Sequence, residues 1–164
     1  MATSRRRKST ATPEANMEST DRIILERLQQ DAKASLSDLA KATGLASSSV
    51  HYRIKRLEDE GVIKSYAAIV DPGKLGYDIL AVSFVKAIYN PKCYEKLSKV
   101  LPKIPGVWAV YFLMGDVDYL VLIRAKNRAD LNRIVYELIA MKEIERSDTR
   151  IVIERLKENP AVPV

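Results

Sequence analysis

The chain has 164 residues, of which 47% are hydrophobic and 29% are charged, a balance typical of a globular protein with one medium or two small domains. It has no run of about 18 apolar residues, which argues against a membrane span, and with one His and one Cys it cannot build a zinc site of the usual ligands alone. The net charge of +6 permits nucleic-acid binding, but residues 5–8 (RRRK) alone exceed the surplus of cations in the N-terminal half, so local pattern must decide.

The N-terminal residues 1–17 (MATSRRRKSTATPEANM) contain almost no bulky apolar side chains. They are predicted to form a disordered basic tail. Such a tail either contacts phosphate groups or is simply solvated, and the solvated state is the more common of the two.

Two short helices are predicted next. Ser19 or Thr20 is the expected cap of the first, whose apolar positions fall within residues 24–28. The second begins at Ser35-Leu-Ser-Asp38, a capping-box variant, and ends at Gly44, a residue type favoured at helix C-termini.

A third predicted helix follows within three residues of Gly44 and ends before Gly61. Its apolar residues Val50, Ile54 and Leu57 are spaced i, i+4, i+7, which indicates an amphipathic helix with a narrow buried stripe. Two short helices joined through a glycine, the second with a polar outer face, are typical of a helix-turn-helix. Residues 62–70 (VIKSYAAIV) are predicted to be a strand, and a strand pair here would form the wing of a winged helix.

After a linker at residues 71–78, residues 79–157 alternate strands and helices in the order β-α-β-β-α-β. The predicted elements are a strand over 80–89, a helix from Pro91, a buried strand over 107–114, a strand over 119–125, a helix capped by Asn127 and Asp130, and a strand over 149–156. This order is the ferredoxin-like pattern. The predicted class is α+β, with a winged helix-turn-helix domain over 18–70, the ferredoxin-like domain, and a C-terminal tail over 158–164.

The outer face of the third helix carries hydroxyls, an aromatic ring and cations. Small hydroxyls allow close approach to a duplex, cations neutralise phosphates, and tyrosine packs on sugar or base. A merely solvated helix surface is the alternative, but the capped helix upstream and the predicted wing downstream favour binding of double-stranded DNA. The predicted DNA-binding residues are Ser47, Ser48, Ser49, His51, Tyr52, Arg53, Lys55 and Arg56.

Motifs spread over residues 19–157 match one family. They include residues 21–25 (DRIIL), 50–58 (VHYRIKRLE), 61–63 (GVI) and 71–77 in the N-terminal half, and 115–119 (GDVDY) in the C-terminal half. With these motifs the chain resembles the Lrp/AsnC family of transcription regulators, whose second domain is a ligand-regulated (RAM) domain. One departure is Ala46, where the family commonly has the Ser that caps the recognition helix, so Ser47 is expected to take over capping. A second is Ser147, where the family often has Thr.

The resemblance implies a homodimer formed through the second domain, often assembled further into tetramers or octamers. Strands that are apolar on both sides agree with sheet-to-sheet packing. It also implies that a small molecule, usually an amino acid, binds near the GDVDY turn, where carboxylates can hold its ammonium group and hydroxyls its carboxylate. The alternative is a tight connection with solvated carboxylates. The predicted effector-binding residues are Gly115, Asp116, Asp118, Tyr119, Ser147 and Thr149.

No cofactor or metal is expected, and the single Cys93 fits a reducing cytoplasm, with the protein associated with the nucleoid. The predicted function is therefore sequence-specific transcription regulation modulated by an amino acid. One alternative is an architectural DNA-binding protein without a ligand. Another is an enzyme resembling the sirohaem decarboxylases, which the position of the only histidine, His51, on the third helix argues against.

Overall fold

The computed structural model describes residues 17–164, so the predicted basic tail, apart from Met17, lies outside the described residues. The described chain divides into two compact units. The N-terminal unit contains residues 17–69 together with Asn159–Val164, and the C-terminal unit contains Val70–Glu158. None of the helices in this part of the chain is long and apolar enough to cross a membrane.

The N-terminal unit is built from three helices, α1 (Ser19–Gln30), α2 (Leu36–Thr43) and α3 (Ser47–Asp59). Each contributes its apolar stripe to one buried cluster, as the periodicity predicts. The fully or nearly fully buried members of this cluster are Ile24, Leu25, Leu39, Val50 and Leu57. The helix-turn-helix arrangement is therefore confirmed.

The ends of these helices agree only partly with the sequence predictions. Ser35 caps α2 as expected, because its Oγ accepts from the Asp38 N–H at 3.1 Å and donates to the Asp38 carboxylate at 2.7 Å. Gly44 ends α2 in the left-handed conformation, with φ of 70°. The predicted caps of the other two helices are wrong. Glu18 precedes α1 and Ala46 precedes α3, and neither helix start has a side-chain cap.

Residues 62–70, which are exposed except for the half-buried Ile63, form no strand, so the strand predicted at this position is wrong. The segment has no regular secondary structure, and it follows the end of α3, which is closed by the bond from the Ile63 N–H to the Leu57 carbonyl at 3.0 Å. A strand needs a neighbour that pairs with its backbone, and residues 62–70 pair with none of the four strands of the described chain.

The C-terminal unit has the predicted ferredoxin-like order of elements. They are β1 (Ile79–Ala87), α4 (Pro91–Val100), β2 (Val107–Phe112), β3 (Tyr119–Ala125), α5 (Arg128–Ile139) and β4 (Ile144–Ile151). The four strands form one antiparallel sheet in the order β2-β3-β1-β4.

Two strand predictions need correction. The last strand occupies Ile144–Ile151 and not residues 149–156, because its partner β1 pairs with it only from Ala87↔Ile144 to Ala81↔Ile151. The strand β2 lies at the sheet edge and is mostly exposed or half-buried, whereas its apolar sequence predicted a buried strand.

The two faces of this sheet differ. Alternate residues of β1 and β3 are buried in a cluster with Leu97 of α4 and with Leu131, Ile134 and Leu138 of α5, so both helices cover one face. The other alternate residues are only half-buried. We call this second surface the open sheet face. Its apolar residues are Leu80, Val82, Phe84, Leu120 and Leu122.

Candidate DNA-binding surface and effector region

The outward side of α3 is exposed over its whole length. Tyr52 is 67% exposed, and Lys55 lies one turn of helix further along the same side. Within the described chain, the side chains of these residues make no hydrogen bond or ion pair, so their polar groups are available to a partner. The exposed predicted DNA-binding residues are Ser47, Ser48, Ser49, His51, Tyr52 and Lys55.

Arg53 and Arg56, the other two predicted residues, are bound to acidic side chains of the N-terminal unit. Arg53 contacts Asp21 at 3.0 Å and Glu18 at 2.8 Å, and Arg56 contacts the second oxygen of Asp21 at 2.5 Å. The side chain of Asp21 is only 3% exposed. Hydrogen bonding to Glu18, and then to Asp21, raises the pKa of Arg53.

The structure brings five of the eight predicted residues together around one shallow depression of about 360 Å³ on α3. Its lining consists of Ser48, Ser49, Tyr52, Arg53 and Arg56. Hydroxyl and guanidinium groups are donors suited to phosphate oxygens. The depression therefore offers hydroxyl donors beside two guanidinium groups that Glu18 and Asp21 already bind.

The sequence reasoning did not identify Glu18 and Asp21 as parts of this surface. For Asp21 a signal was available, because it precedes Ile24, Leu25 and Leu28 by three, four and seven residues and so lies on the apolar stripe of α1. An acid on an apolar stripe predicts a buried carboxylate that needs a cation.

The GDVDY turn connects β2 and β3, and only its first part is exposed. Gly115, with φ of 149°, and Asp116 lie in the turn on the surface. The Asp118 carboxylate is occupied, since it accepts from the Ala87 N–H at 2.8 Å and from the Tyr94 hydroxyl at 3.3 Å. Burial, and then the Asp118 charge, raise the pKa of Tyr94.

Tyr119 is buried, and its hydroxyl donates to the Tyr94 carbonyl at 2.9 Å. Asp118 and Tyr119 thus fix the turn to the sheet and to α4. In β4, the Thr149 hydroxyl donates to the Ser83 hydroxyl at 2.9 Å. Strand register places Tyr119 beside Val85 and Val85 beside Ser147, so the end of the turn and the β4 hydroxyls lie two strands apart, about 10 Å.

No group of three or more His, Cys, Asp or Glu side chains suited to a metal ion occurs among residues 17–164. The chemistry of both regions is that of hydrogen bonding and charge pairing.

The two halves of the chain match the models of two protein families. Residues 17–64 match the model described as winged helix-turn-helix DNA-binding, and residues 82–162 match the Lrp/AsnC ligand binding domain. The chain is 39% identical to the HTH-type transcriptional regulator FL11 of Pyrococcus furiosus, over 90% of this chain and 97% of that protein. The chain belongs to the Lrp/AsnC family.

Solved structures agree with this membership. An AsnC family transcriptional regulator from Agrobacterium tumefaciens has 29% identity and a TM-score of 0.84, over 90% of this chain and 97% of that chain. The transcriptional regulator NMB0573 of Neisseria meningitidis was solved as a complex with L-Met. It has 23% identity and a TM-score of 0.86, again over 90% of this chain and 97% of that chain, and this similarity shows the fold alone. This Lrp/AsnC protein is therefore a DNA-binding transcription regulator with a ligand-binding domain, and not an enzyme.

Proposed function

We propose that this Lrp/AsnC protein binds specific sites on double-stranded DNA through α3, and that an amino acid bound by the C-terminal unit modulates that binding. The observation that carries the proposal is the exposed, unpaired polar side of α3, from Ser47 to Lys55, within a helix-turn-helix. Such a surface offers hydroxyl and ammonium donors of the kind that contact the backbone of a duplex, and it lacks a competing partner within the described chain.

The residues of this surface differ in their proposed roles. Lys55 and Tyr52 extend into solvent and would contact phosphate and sugar or base, with the serines and His51 at their side. Arg53 and Arg56 share the acids Glu18 and Asp21, so this cluster carries little net charge. These two arginines line the depression and would contribute less charge to phosphate neutralisation than their number suggests.

We therefore expect Lys55→Ala and Tyr52→Ala to weaken DNA binding without unfolding the protein. For Lys55→Ala, the slope of log affinity against log salt should fall in magnitude by about 1, as expected when one phosphate contact is lost. Fluorescence anisotropy of a labelled duplex at several salt concentrations measures both quantities.

Lys92→Ala is the matched control, because it removes the same charge from an exposed position of α4 in the C-terminal unit. Its affinity and salt slope should equal those of the wild type. An identical loss in the Lys55 and Lys92 variants would indicate a general effect of net charge and would remove α3 from the proposed DNA surface.

We further propose that two chains associate through the open sheet face and present two α3 helices to a pseudo-palindromic site. Half-buried apolar residues on both central strands support this arrangement. Further assembly into tetramers or octamers is part of the proposal.

For the effector, the exposed residues Gly115 and Asp116 would hold the ammonium group, with Ser147 and Thr149 near its carboxylate. Asp118 and Tyr119 would keep the turn in place through their internal bonds. The L-Met complex of the Neisseria regulator supports an amino acid as the ligand class. Because register separates the two groups by about 10 Å within one chain, a second chain would complete the site.

Genome-wide footprinting with purified protein, with and without a mixture of the twenty amino acids, tests the function as a whole. A few sharp pseudo-palindromic sites that shift with amino acids are expected. Diffuse protection that ignores amino acids would contradict the proposal and favour an architectural DNA-binding role.

A further inference from the structure

The segment Asn159–Val164 follows the C-terminal unit in sequence but belongs to the N-terminal unit in space. The chain therefore passes between the units twice, first after Ile69 and again after Glu158. Neither the DNA-binding surface nor the effector region includes this segment. The surface of the N-terminal unit that the segment contacts forms a groove, which we call the docking groove.

Gln29, near the end of α1, binds both backbone polar groups of Val162. Its Nε2 donates to the Val162 carbonyl at 3.0 Å, and its Oε1 accepts from the Val162 N–H at 2.6 Å. A side-chain amide offers one acceptor and a pair of donors, and here it supplies the two bonds that a neighbouring strand gives to an extended chain. The Val162 side chain is 65% exposed, so it is the backbone that is bound here.

Apolar side chains surround the docked segment. A cavity of about 440 Å³ is bounded by α1, by residues 62–69 and by the segment itself. Leu25 and Leu28 line it from α1, and Val62 and Tyr66 line it from the residues after α3. Val164 packs against the buried cluster of the unit. The segment therefore combines backbone recognition with an apolar anchor.

The chain is also held just before this segment, where it leaves the C-terminal unit. Glu158, the last residue of the C-terminal unit, accepts from Arg124 and from Arg155, each at 2.9 Å. The Asn159 side chain accepts from the Ala161 N–H at 2.9 Å, which fixes the bend where the segment starts. Val162 lies four positions after Glu158, which is at most about 14 Å of extended chain.

We propose that the groove is a peptide-docking site whose ligand is Asn159–Val164, and that the docked segment couples the C-terminal unit to the DNA-binding unit. The coupling rests on the proposed function, because it gives the effector-binding unit a second connection, one that ends on α1. The same helix carries Asp21, which holds Arg53 and Arg56 of α3. A displacement at Gln29 thereby reaches the recognition helix.

Docking is tested in the full-length protein with Gln29→Ala and the control Gln30→Ala, which truncates the neighbouring exposed glutamine. Amide hydrogen exchange at Val162, followed by NMR, should become at least tenfold faster in Gln29→Ala and stay unchanged in Gln30→Ala. Gln29→Glu keeps the acceptor and should give an intermediate rate. Equal exchange in the Gln29→Ala and Gln30→Ala variants would overturn docking. This measurement needs neither DNA nor an effector.

Coupling is tested by the DNA affinity of the same variants with and without the mixture of twenty amino acids. Gln29→Ala should retain DNA affinity in the absence of amino acids and lose at least half of the fold-change they cause, while Gln30→Ala should match the wild type. A full response in Gln29→Ala would overturn coupling and leave docking in place. A wild-type protein without any response would overturn the effector proposal together with coupling, and the exchange rates would still decide docking.

Discussion

At the scale of single residues, Asp21 shows how surroundings decide whether a charge serves folding or binding. Its carboxylate is almost completely buried and is held by guanidinium groups from α3. A buried carboxylate without a cation is costly, so Arg53 and Arg56 are committed to Asp21 in the folded protein. The exposed cation Lys55, which has no internal partner in the described chain, is the better candidate for a phosphate contact.

Replacing Asp21 by Asn should lower the free energy of unfolding of the N-terminal unit by about 1–3 kcal/mol, because two guanidinium groups lose their ionised partner. This loss is smaller than the roughly 3–5 kcal/mol of a fully buried ion pair, because both arginines keep some contact with water. Urea unfolding followed by circular dichroism measures the change. Asp59→Asn, which removes an exposed acid from α3, should stay within about 0.5 kcal/mol of the wild type. Equal stability of the two variants would show that the cluster contributes nothing to folding.

The same residues show what the sequence could predict about the site. The exposed side of α3 followed from the spacing of Val50, Ile54 and Leu57, and the burial of Asp21 was predictable from its place on the α1 stripe. The partners of Asp21 were not, because Arg53 lies 32 residues away and only the packing of α1 against α3 brings them together. For the same reason, the motif at residues 115–119 did not predict that the Asp118 carboxylate accepts a hydrogen bond from the Ala87 N–H, which is 31 residues away in sequence.

At the scale of elements, local capping signals predicted the starts of α2 and α5 correctly and those of α1 and α3 wrongly. The cap of α5 is an example of a correct prediction, since Asn127 accepts from the Asp130 N–H at 2.9 Å and Asp130 accepts from the Lys126 N–H at 3.0 Å. Strands were less predictable because each needs a partner. The alternation at residues 149–156 indicated a strand, but β1 offers pairing only up to Ile151. Residues 62–70 have strand-forming side chains and find no partner in the described chain.

The α5 cap should depend on pH through Asp130. The bond from the Lys126 N–H, and then the bond from Arg133, lower the pKa of this carboxyl group. A group whose pKa is lower in the folded state stabilises the fold above its unfolded pKa, about 4 for Asp, and loses that contribution as pH falls through the folded value. Asp130→Asn should therefore be less stable than the wild type at pH 7, with the difference shrinking toward about pH 2.5.

Thermal unfolding at several pH values measures this difference. Asp116→Asn, in the exposed β2–β3 turn, is the control for the loss of one carboxylate and should be as stable as the wild type at pH 7. A stability gap for Asp130→Asn that is constant across the acid range would show that its charge does not contribute to the cap.

At the scale of the whole molecule, the open sheet face is the surface that a single chain leaves incomplete. Both central strands place apolar residues there, and Val82 of β1 lies directly opposite Leu122 of β3. Both edge strands cover part of it: Arg150 of β4 lies over the Phe84 ring at 5.5 Å, and the Trp108 ring of β2 packs against Arg124 of β3 at 4.6 Å. Apolar area in the middle with cations around it is the pattern of an interface core with a polar rim.

If two chains pack through this face, a charge at its centre should separate them. Leu122→Glu and Val82→Glu each place a carboxylate where a second chain would bury it away from water, with Arg150 beside it only in the case of position 82. Both positions are half-buried in the isolated chain, so folding should survive. Sedimentation velocity should show the wild type as a dimer or a larger assembly and both variants as monomers of 18.5 kDa. Tyr136→Glu is the control, because it places the same charge on the exposed side of α5, where Tyr136 is 70% exposed. Assemblies that survive both substitutions on β1 and β3 would exclude the open sheet face as the interface. An effector site completed by a second chain would then have to form through another surface.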